Sequence, residues 1–518
     1  EKEFLHQSGS LGEGRVRAEA HFRLIGIGLG ALGRGGGFTN SSRLKALERG
    51  GALLCCAIFL LMNAHYFLFT VLISGSAAAL DGVLDLTAPL NYADQSVPDY
   101  VQKDNTPADN PITDHGATLG RVLFYDVRLS TNSSISCASC HQQENGFSDL
   151  NAVSTGVGGT TGRHSMRLIN SRFSAEERFF WDERAISLEA QTTQPIQDHI
   201  EMGFSGAGGD PDFADLITRL AAIEEYQVMF RSVYGDEAIT EDRVQEVLAQ
   251  FVRSIQSFDS KYDAGRAQVG NEAAPFPNYS ASENRGKSLF LTPPPQGGAG
   301  CNACHQAPEF DIDPNSRSNG VVGATGGGTD TTNTRSPSLR DLAGPDGGLH
   351  SGLMHNAIFN SLRQVIDHYD AIPTPISANL DPRLGGGPGG PGGGAQQLNL
   401  TEQEKVDLEN FLLTLTGSAV YTDGKWSSPF DDAGNLSLII LPTSVATIQV
   451  ANAGEAVEMA TVSTRGVPNV SYLFTSSSDL ETWSDPEAIE ADADGLVSVT
   501  RPVTGGKKFY RIGYAVAD

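Results

Sequence analysis

Residues 119–202 decide how this chain folds. They hold LGRVLFYDVRLS (119–130), SCASCH (136–141), GFSD (146–149) and FFWDERAISLEAQTTQPIQDHIEM (179–202). At the centre stands Cys137-Ala138-Ser139-Cys140-His141. Two thiols at this spacing lie one helical turn apart, so each can form a thioether to a porphyrin vinyl group while the next imidazole faces the iron. Cys301-Asn302-Ala303-Cys304-His305 repeats the pattern in the second half. With 6 Cys and 11 His in 518 residues, random placement gives about 0.0015 such matches. A redox dithiol needs no histidine after it, and zinc would have to draw four thiolates from two distant pairs. The pattern therefore reads as two covalently bound c-type haems.

Length and charge bound what surrounds this centre. A chain of 518 residues suggests about three domains. A net charge of -26 argues against nucleic acid and anionic membrane surfaces as partners and suits a basic partner such as a small cytochrome. Residues 51–80 carry no formal charge, follow Arg43, Lys45 and Arg49, and close on Ser76-Ala77-Ala78-Ala79. That order of basic, apolar and small residues reads residues 1–80 as a leader with a signal peptide. The apolar run is long, so an uncleaved anchor is the alternative and the one expected membrane contact. An exported, periplasmic protein follows, as c-type haem attachment also requires.

Outward from the centre, residues 81–115 read as an extended lead-in. A first haem domain is expected over 116–275, with a helix ending near Asp126 and further helical stretches at Ser187–Gln197, Asp212–Arg231 and Glu241–Phe258. In the last, Val244, Val247, Leu248, Phe251, Val252 and Ile255 recur at helical spacing. Residues 269–282 read as a linker, with Ser280 and Ser282 as candidate caps of a helix Glu283–Phe290. A second haem domain follows over 283–417, closed by a helix with Thr401 and Glu404 as a capping box. Residues 418–434 read as a second linker, and Gly385–Gly394 as a tolerated insertion. From 435 to 518 the period changes to two, as in Val470, Tyr472 and Phe474. The expected fold is mainly α, with two cytochrome c-like haem domains and a small all-β, sandwich-like C-terminal domain.

The ordered set LGRVLFYDVRLS, CASCH, GFSD, FFWDERAISLEAQTTQPIQDHIEM, CNACH, SPSLRDL and LTEQEKVDLENFLLTLTG resembles the bacterial di-haem cytochrome c peroxidases and the related MauG, over about residues 116–417. The resemblance implies an active site between two helical haem domains. Cys137, Cys140 and His141 would hold the peroxide haem, and Cys301, Cys304 and His305 the electron-entry haem. Trp181 would stand between the haems, Glu201 would be the catalytic acid–base, and Gln191 and Pro195 would line the distal pocket. Peroxide cleavage needs a group that moves a proton from the iron-side oxygen to the far one, and a poised carboxylate can do so.

Three departures from the family carry information. No histidine lies between His141 and His164, where the loop reads STGVGG, so an open haem without a histidine cap is expected. His164 replaces an asparagine associated with a calcium site, which leaves calcium to carbonyls near Arg335 and Pro337. Tyr369 aligns with the sixth ligand of the second haem, where methionine is usual and MauG has tyrosine; Met354 and His368 are rivals. His350 and His355 are expected to bond haem propionates or backbone.

Three functions follow. The first is a di-haem peroxidase reducing hydrogen peroxide to water with electrons from a small cytochrome or similar donor. The second is a MauG-like oxidase of a protein or organic substrate. The third is a plain di-haem electron carrier.

Overall fold

The structure, a computed structural model, describes residues 82–374, 379–385, 394–441, 447–451, 458–503 and 508–514, and the backbone of the strand His21–Ile25. The expected leader other than that strand, most of the glycine run at 385–394 and the Gly505-Gly506 turn lie outside the described residues. Among the described residues no helix is long and apolar enough to cross a membrane.

The two helical halves repeat one packing device. In the first, the helix Asp114–Tyr125 crosses the helix Glu241–Ser254. A Cβ added at Gly120 would lie 1.9 Å from Val247 O, beside Phe251. In the second, Ala281–Leu291 crosses Glu402–Leu413, and a Cβ at Gly286 would lie 1.9 Å from Asp407 O, beside Phe411. The sequences match at the crossing: Gly120-Arg121-Val122-Leu123-Phe124 and Gly286-Lys287-Ser288-Leu289-Phe290 share Gly-x-x-Leu-Phe. Only a residue without a side chain lets the two backbones approach this closely.

The caps explain where these helices begin. Thr113 accepts from Gly116 N–H at 3.0 Å. Ser280 accepts from Glu283 N–H while Glu283 reaches back to Ser280 N–H, and Thr401 and Glu404 do the same. Of the two candidate serines, Ser280 is thus the cap. The stretch 212–231 is broken in two, Phe213–Ala221 and Glu224–Tyr234. Only Leu188–Thr192 of 187–197 is helical, because Pro195 removes an amide from any continuation. The Glu241 helix stops at Ser254, four residues short of Phe258.

Both expected linkers are packed. Phe276 and Tyr279, from 269–282, join Tyr262, Phe290 and Phe411 in the core of the second half. Residues 418–434 cross back over the first half as a strap. Gln143 donates to Val420 O and Asp423 O, both at 3.0 Å. Arg121 donates to Ser427 O at 2.6 Å and Tyr125 to Trp426 O at 2.6 Å. Trp426, 3% exposed, donates its indole N–H to Ser254 O at 3.1 Å. The lead-in meets the strap's far end: Val83–Asp85 pairs in parallel with Ser437–Ile439, so this last strand belongs to neither terminal sheet. Scattered aromatics in polar loops carry no periodicity, which is why these segments read as connectors.

The C-terminal unit has two sheets. One has three strands, in the order Leu496–Val503, Glu458–Arg465, Thr447–Ala451. The other has the order His21–Ile25, Phe509–Tyr514, Ser471–Ser477, Glu487–Glu490. Val470, Tyr472, Phe474, Tyr510 and Ile512 are buried, as their alternation requires. The strand His21–Ile25 lies within the stretch expected to be leader; HFRLI itself alternates polar and apolar residues up to Leu24.

Replacing Gly286 by Ala would force the second helix pair apart. The expected cost is about 1–3 kcal/mol, the usual range for overpacking. Thermal unfolding followed by circular dichroism checks it, and an unchanged midpoint would contradict the close crossing.

Candidate functional site

A cavity of about 400 Å³ collects the quoted stretch, with Cys137, Cys140, His141, Trp181, Gln191 and Glu201 in its wall. Cys137–Cys140 form a one-turn helix that His141 closes, its amide donating to Cys137 O at 2.9 Å. His141 Nδ1 lies 3.1 Å from the Phe147 carbonyl. A carbonyl only accepts, so Nδ1 carries the proton and Nε2 keeps its lone pair. Burial holds the imidazole below its ordinary pKa, in the neutral state a metal ligand needs. Phe147 offers its carbonyl from a left-handed backbone, φ 57.

Glu201 follows a turn fixed by Asp198, whose Oδ1 accepts from Ile200 N–H at 2.8 Å and Glu201 N–H at 3.0 Å. The STGVGG loop backs this turn. Val157 N–H donates to Glu201 O and Gly158 N–H to Ile200 O, both at 3.0 Å. A Cβ at Gly156 would fall 2.0 Å from Ile200 O, so the glycine is needed for the approach. The loop expected to lack a histidine cap thus supports Glu201 from behind. Burial and then Asp198 push the Glu201 carboxyl up to about 7, against Arg184. Glu201 also borders a smaller pocket lined by Arg184, Gln194, Gln197 and Asp198, of which Arg184, Gln197 and Asp198 are exposed. It therefore stands between the cavity and solvent.

Trp181 joins the two halves. Its indole N–H donates to His164 O at 2.8 Å, and its carbonyl accepts from Thr334 at 2.9 Å and Arg335 at 3.1 Å. Its ring meets His355 edge-on, centroids 6.3 Å apart. Arg163 braces the same place by pairing with Asp182 at 2.7 Å and Asp330 at 2.8 Å.

The second Cys-x-x-Cys-His sits on a 3-10 turn, Cys301–Ala303. Burial, reinforced by Arg383, holds His305 down at about 4, again neutral. Its Nδ1 is buried without a protein partner. Tyr369 is on the helix Leu362–Asp370, near Cys304 and Cys301, with the Asn319 side chain beside its hydroxyl. Burial, then Cys304, push that hydroxyl well above its ordinary range. His368 Nε2 lies 2.8 Å from Asn319 O. Met354 Sδ accepts from Asn319 Nδ2 at 3.2 Å and stays a neighbour of Tyr369's partner.

These residues fit two c-type haems. Cys137, Cys140, Cys301 and Cys304 form no disulfide. Burial pushes their thiols up to about 12, 11, 12 and 11. Among the described residues no three His, Cys, Asp or Glu side chains converge on a metal site. Arg167 and Arg335 line the cavity with buried Nε–H groups that have no partner among the described residues. Those donors suit the carboxylates of a haem. Neither arginine was singled out for this role in the sequence; a buried arginine in HSMRLIN leaves no spacing signal.

Other expectations resolve locally. His164 has Nδ1 at 3.0 Å from Asn151 O and Nε2 at 2.9 Å from Ser351 Oγ. The Pro337 carbonyl accepts from Ser336 Oγ at 3.0 Å. The Pro337 carbonyl, one of the groups left to calcium, thus already accepts one hydrogen bond. His355 Nε2 faces Gly323 O at 3.0 Å, and His350 Nε2 faces the Tyr421 hydroxyl at 3.2 Å.

The chain belongs to the di-haem cytochrome c peroxidase family, whose profile matches residues 114–270. It is 30% identical over 330 residues to the methylamine utilization protein MauG of Methylophilus methylotrophus, spanning 61% of this chain and 86% of that one. With the cytochrome-c peroxidase IdrP1 of Denitromonas iodatirespirans it shares 29% over 362 residues, 62% of this chain and 86% of the relative. The crystal structure of a MauG-like protein associated with microbial copper homeostasis aligns with a TM-score of 0.51 at 27% identity, covering 64% of this chain and 98% of that one.

Replacing both Cys301 and Cys304 by Ala should leave one covalently attached haem per chain. The mass of the denatured protein reads this directly, and two retained haems would contradict the assignment.

Proposed function

We propose that this chain is a di-haem peroxidase that reduces hydrogen peroxide to water. The haem held by Cys137, Cys140 and His141 is the peroxide site, and the haem held by Cys301, Cys304 and His305 is the electron-entry site. One observation carries the reading: a single cavity gathers a Cys-x-x-Cys-His turn, a carboxyl poised near pH 7 and a tryptophan at the joint of the two halves. The bound haem supplies the iron at which peroxide is reduced.

The chain's own groups divide the remaining work. His141 ligates through Nε2, oriented by the Phe147 carbonyl. Arg167 and Arg335 hold the haem carboxylates. With the haem bound, Glu201 would take a proton from one peroxide oxygen and return it to the other, and its raised pKa would suit both transfers. Gln191 positions the peroxide from the same wall. Trp181 and His355 bridge the halves and shorten the electron path between the haems. Tyr369, near Cys301 and Cys304, would be the side chain that ligates the second haem opposite His305.

The donor is a small cytochrome or similar protein, whose basic face would complement a chain of net charge -26. The protein is exported to the periplasm, as the basic-then-apolar order before residue 80 suggests. A MauG-like oxidase acting on a protein or organic substrate is the second reading. Tyr369 favours it, because a phenolate ligand stabilises ferric iron and lowers the potential.

Glu201→Gln tests the acid–base role. Haem content should hold while kcat with peroxide and a reduced cytochrome falls by about 10²–10⁴. In the unaltered enzyme kcat/KM should rise with pH through about 7, as Glu201 loses its proton and becomes the base. That limb should vanish in the variant. Turnover unchanged by the substitution would rule out Glu201 as the acid–base.

A further inference from the structure

Asn319 stands where the two candidate ligands of the second haem meet. Its Oδ1 accepts from Val321 N–H at 3.0 Å, which fixes which way the carboxamide points. Turned over, it would set N–H against N–H at Val321 and leave a carbonyl facing the Met354 sulfur with no donor. The Nδ2 group therefore faces Met354 Sδ, 3.2 Å away, and the same side chain lies beside the Tyr369 hydroxyl. The Asn319 backbone is anchored as well, because its carbonyl accepts from His368 Nε2 at 2.8 Å, next to Tyr369 on the same helix. Met354 is held in a left-handed conformation, φ 74, which an unbranched non-glycine residue adopts only when its surroundings impose it. Its neighbour His355 carries the ring that packs on Trp181.

We propose that Asn319 is a positioning residue for the second haem: its carboxamide donates to the Tyr369 oxygen, tempers how strongly that oxygen binds iron, and holds the Met354 sulfur beside it as a reserve ligand. The inference rests on the assignment of Tyr369 as sixth ligand. A donor aimed at a phenolate oxygen withdraws charge from the oxygen–iron bond, so ferric iron is stabilised less and the potential is higher than for a bare phenolate. The same donor occupies a sulfur lone pair and keeps the thioether off the metal while tyrosine is present. Thioether sulfur is a weak acceptor, so this hold is easily released.

The experiment uses the full-length di-haem protein with Asn319→Ala, Asn319→Ser and Tyr369→Phe. Absorption, low-temperature EPR and the midpoint potential of each haem are recorded. The unaltered protein tests the underlying assignment: a tyrosinate-to-iron charge-transfer band supports it, and its absence overturns both assignment and proposal. With the band present, Asn319→Ala should favour the oxidised second haem by about tenfold, which is about 59 mV lower for a one-electron couple. The first haem should not move, and Asn319→Ser, which keeps a hydroxyl donor, should recover part of the shift. Tyr369→Phe should give a low-spin second haem with the near-infrared band of sulfur-to-iron ligation, lost on adding Met354→Leu. An unmoved potential in a fully haem-loaded Asn319→Ala protein would overturn the positioning role with the Tyr369 assignment intact. If Asn319→Ala does not load both haems, the serine variant's potential decides in its place, and an intermediate value supports the proposal while an unaltered one overturns it. A high-spin second haem in Tyr369→Phe would overturn the reserve role of Met354.

Discussion

Trp181 is held at both ends, and much of the arrangement depends on it. Its indole donates into the first half through His164 O, and its carbonyl takes two amides of the second half, from Thr334 and Arg335. Rotating the indole would break the bond to the first half, and shifting the backbone would break the two to the second. The Arg163 bridge between Asp182 and Asp330 sits on the same joint, each oxygen within 2.8 Å. The joint brings the wall of the first cavity against His355, and the residue before it, Met354, lies at Asn319 beside Tyr369. A short line of packed groups therefore runs between the two Cys-x-x-Cys-His turns.

Around that joint, each half solves the same problem in the same way. A helix carrying Gly-x-x-Leu-Phe crosses a later helix at van der Waals distance, with a phenylalanine beside the glycine. This leaves the Cys-x-x-Cys-His turn to be placed by loops. The loops are specified by single contacts: Phe147 O for His141, Asp198 Oδ1 for the Glu201 turn, Gly156 for the loop behind it. The halves differ where their proposed roles differ. The first lines a cavity that reaches a carboxyl poised near neutrality, and the second is closed by tyrosine, methionine and asparagine.

Much of this was legible in the sequence, for reasons that are physical. Adjacent Cys and His at fixed spacing report covalent haem chemistry whatever the fold. Helix caps such as Thr401 with Glu404 are local, so they read correctly from sequence alone. The alternation of Val470, Tyr472 and Phe474 marked buried strand faces. What escaped depends on distant partners. Trp426 and Tyr421 anchor a strap over the first half, Phe276 and Tyr279 complete the second core, and Ser437–Ile439 pairs with a segment more than 300 residues earlier. Arg167 and Asn319 share that property: nothing in their neighbours states what they face, and only the assembled cavity or turn gives them a role.

The central claim is an open iron at His141 beside a second, six-coordinate haem. Low-temperature EPR of the oxidised protein, without reductant and before and after hydrogen peroxide, addresses it most directly. The account predicts one high-spin and one low-spin ferric signal, with the high-spin signal lost on adding peroxide. Two low-spin signals that peroxide leaves untouched would mean that both irons are capped, and would contradict it.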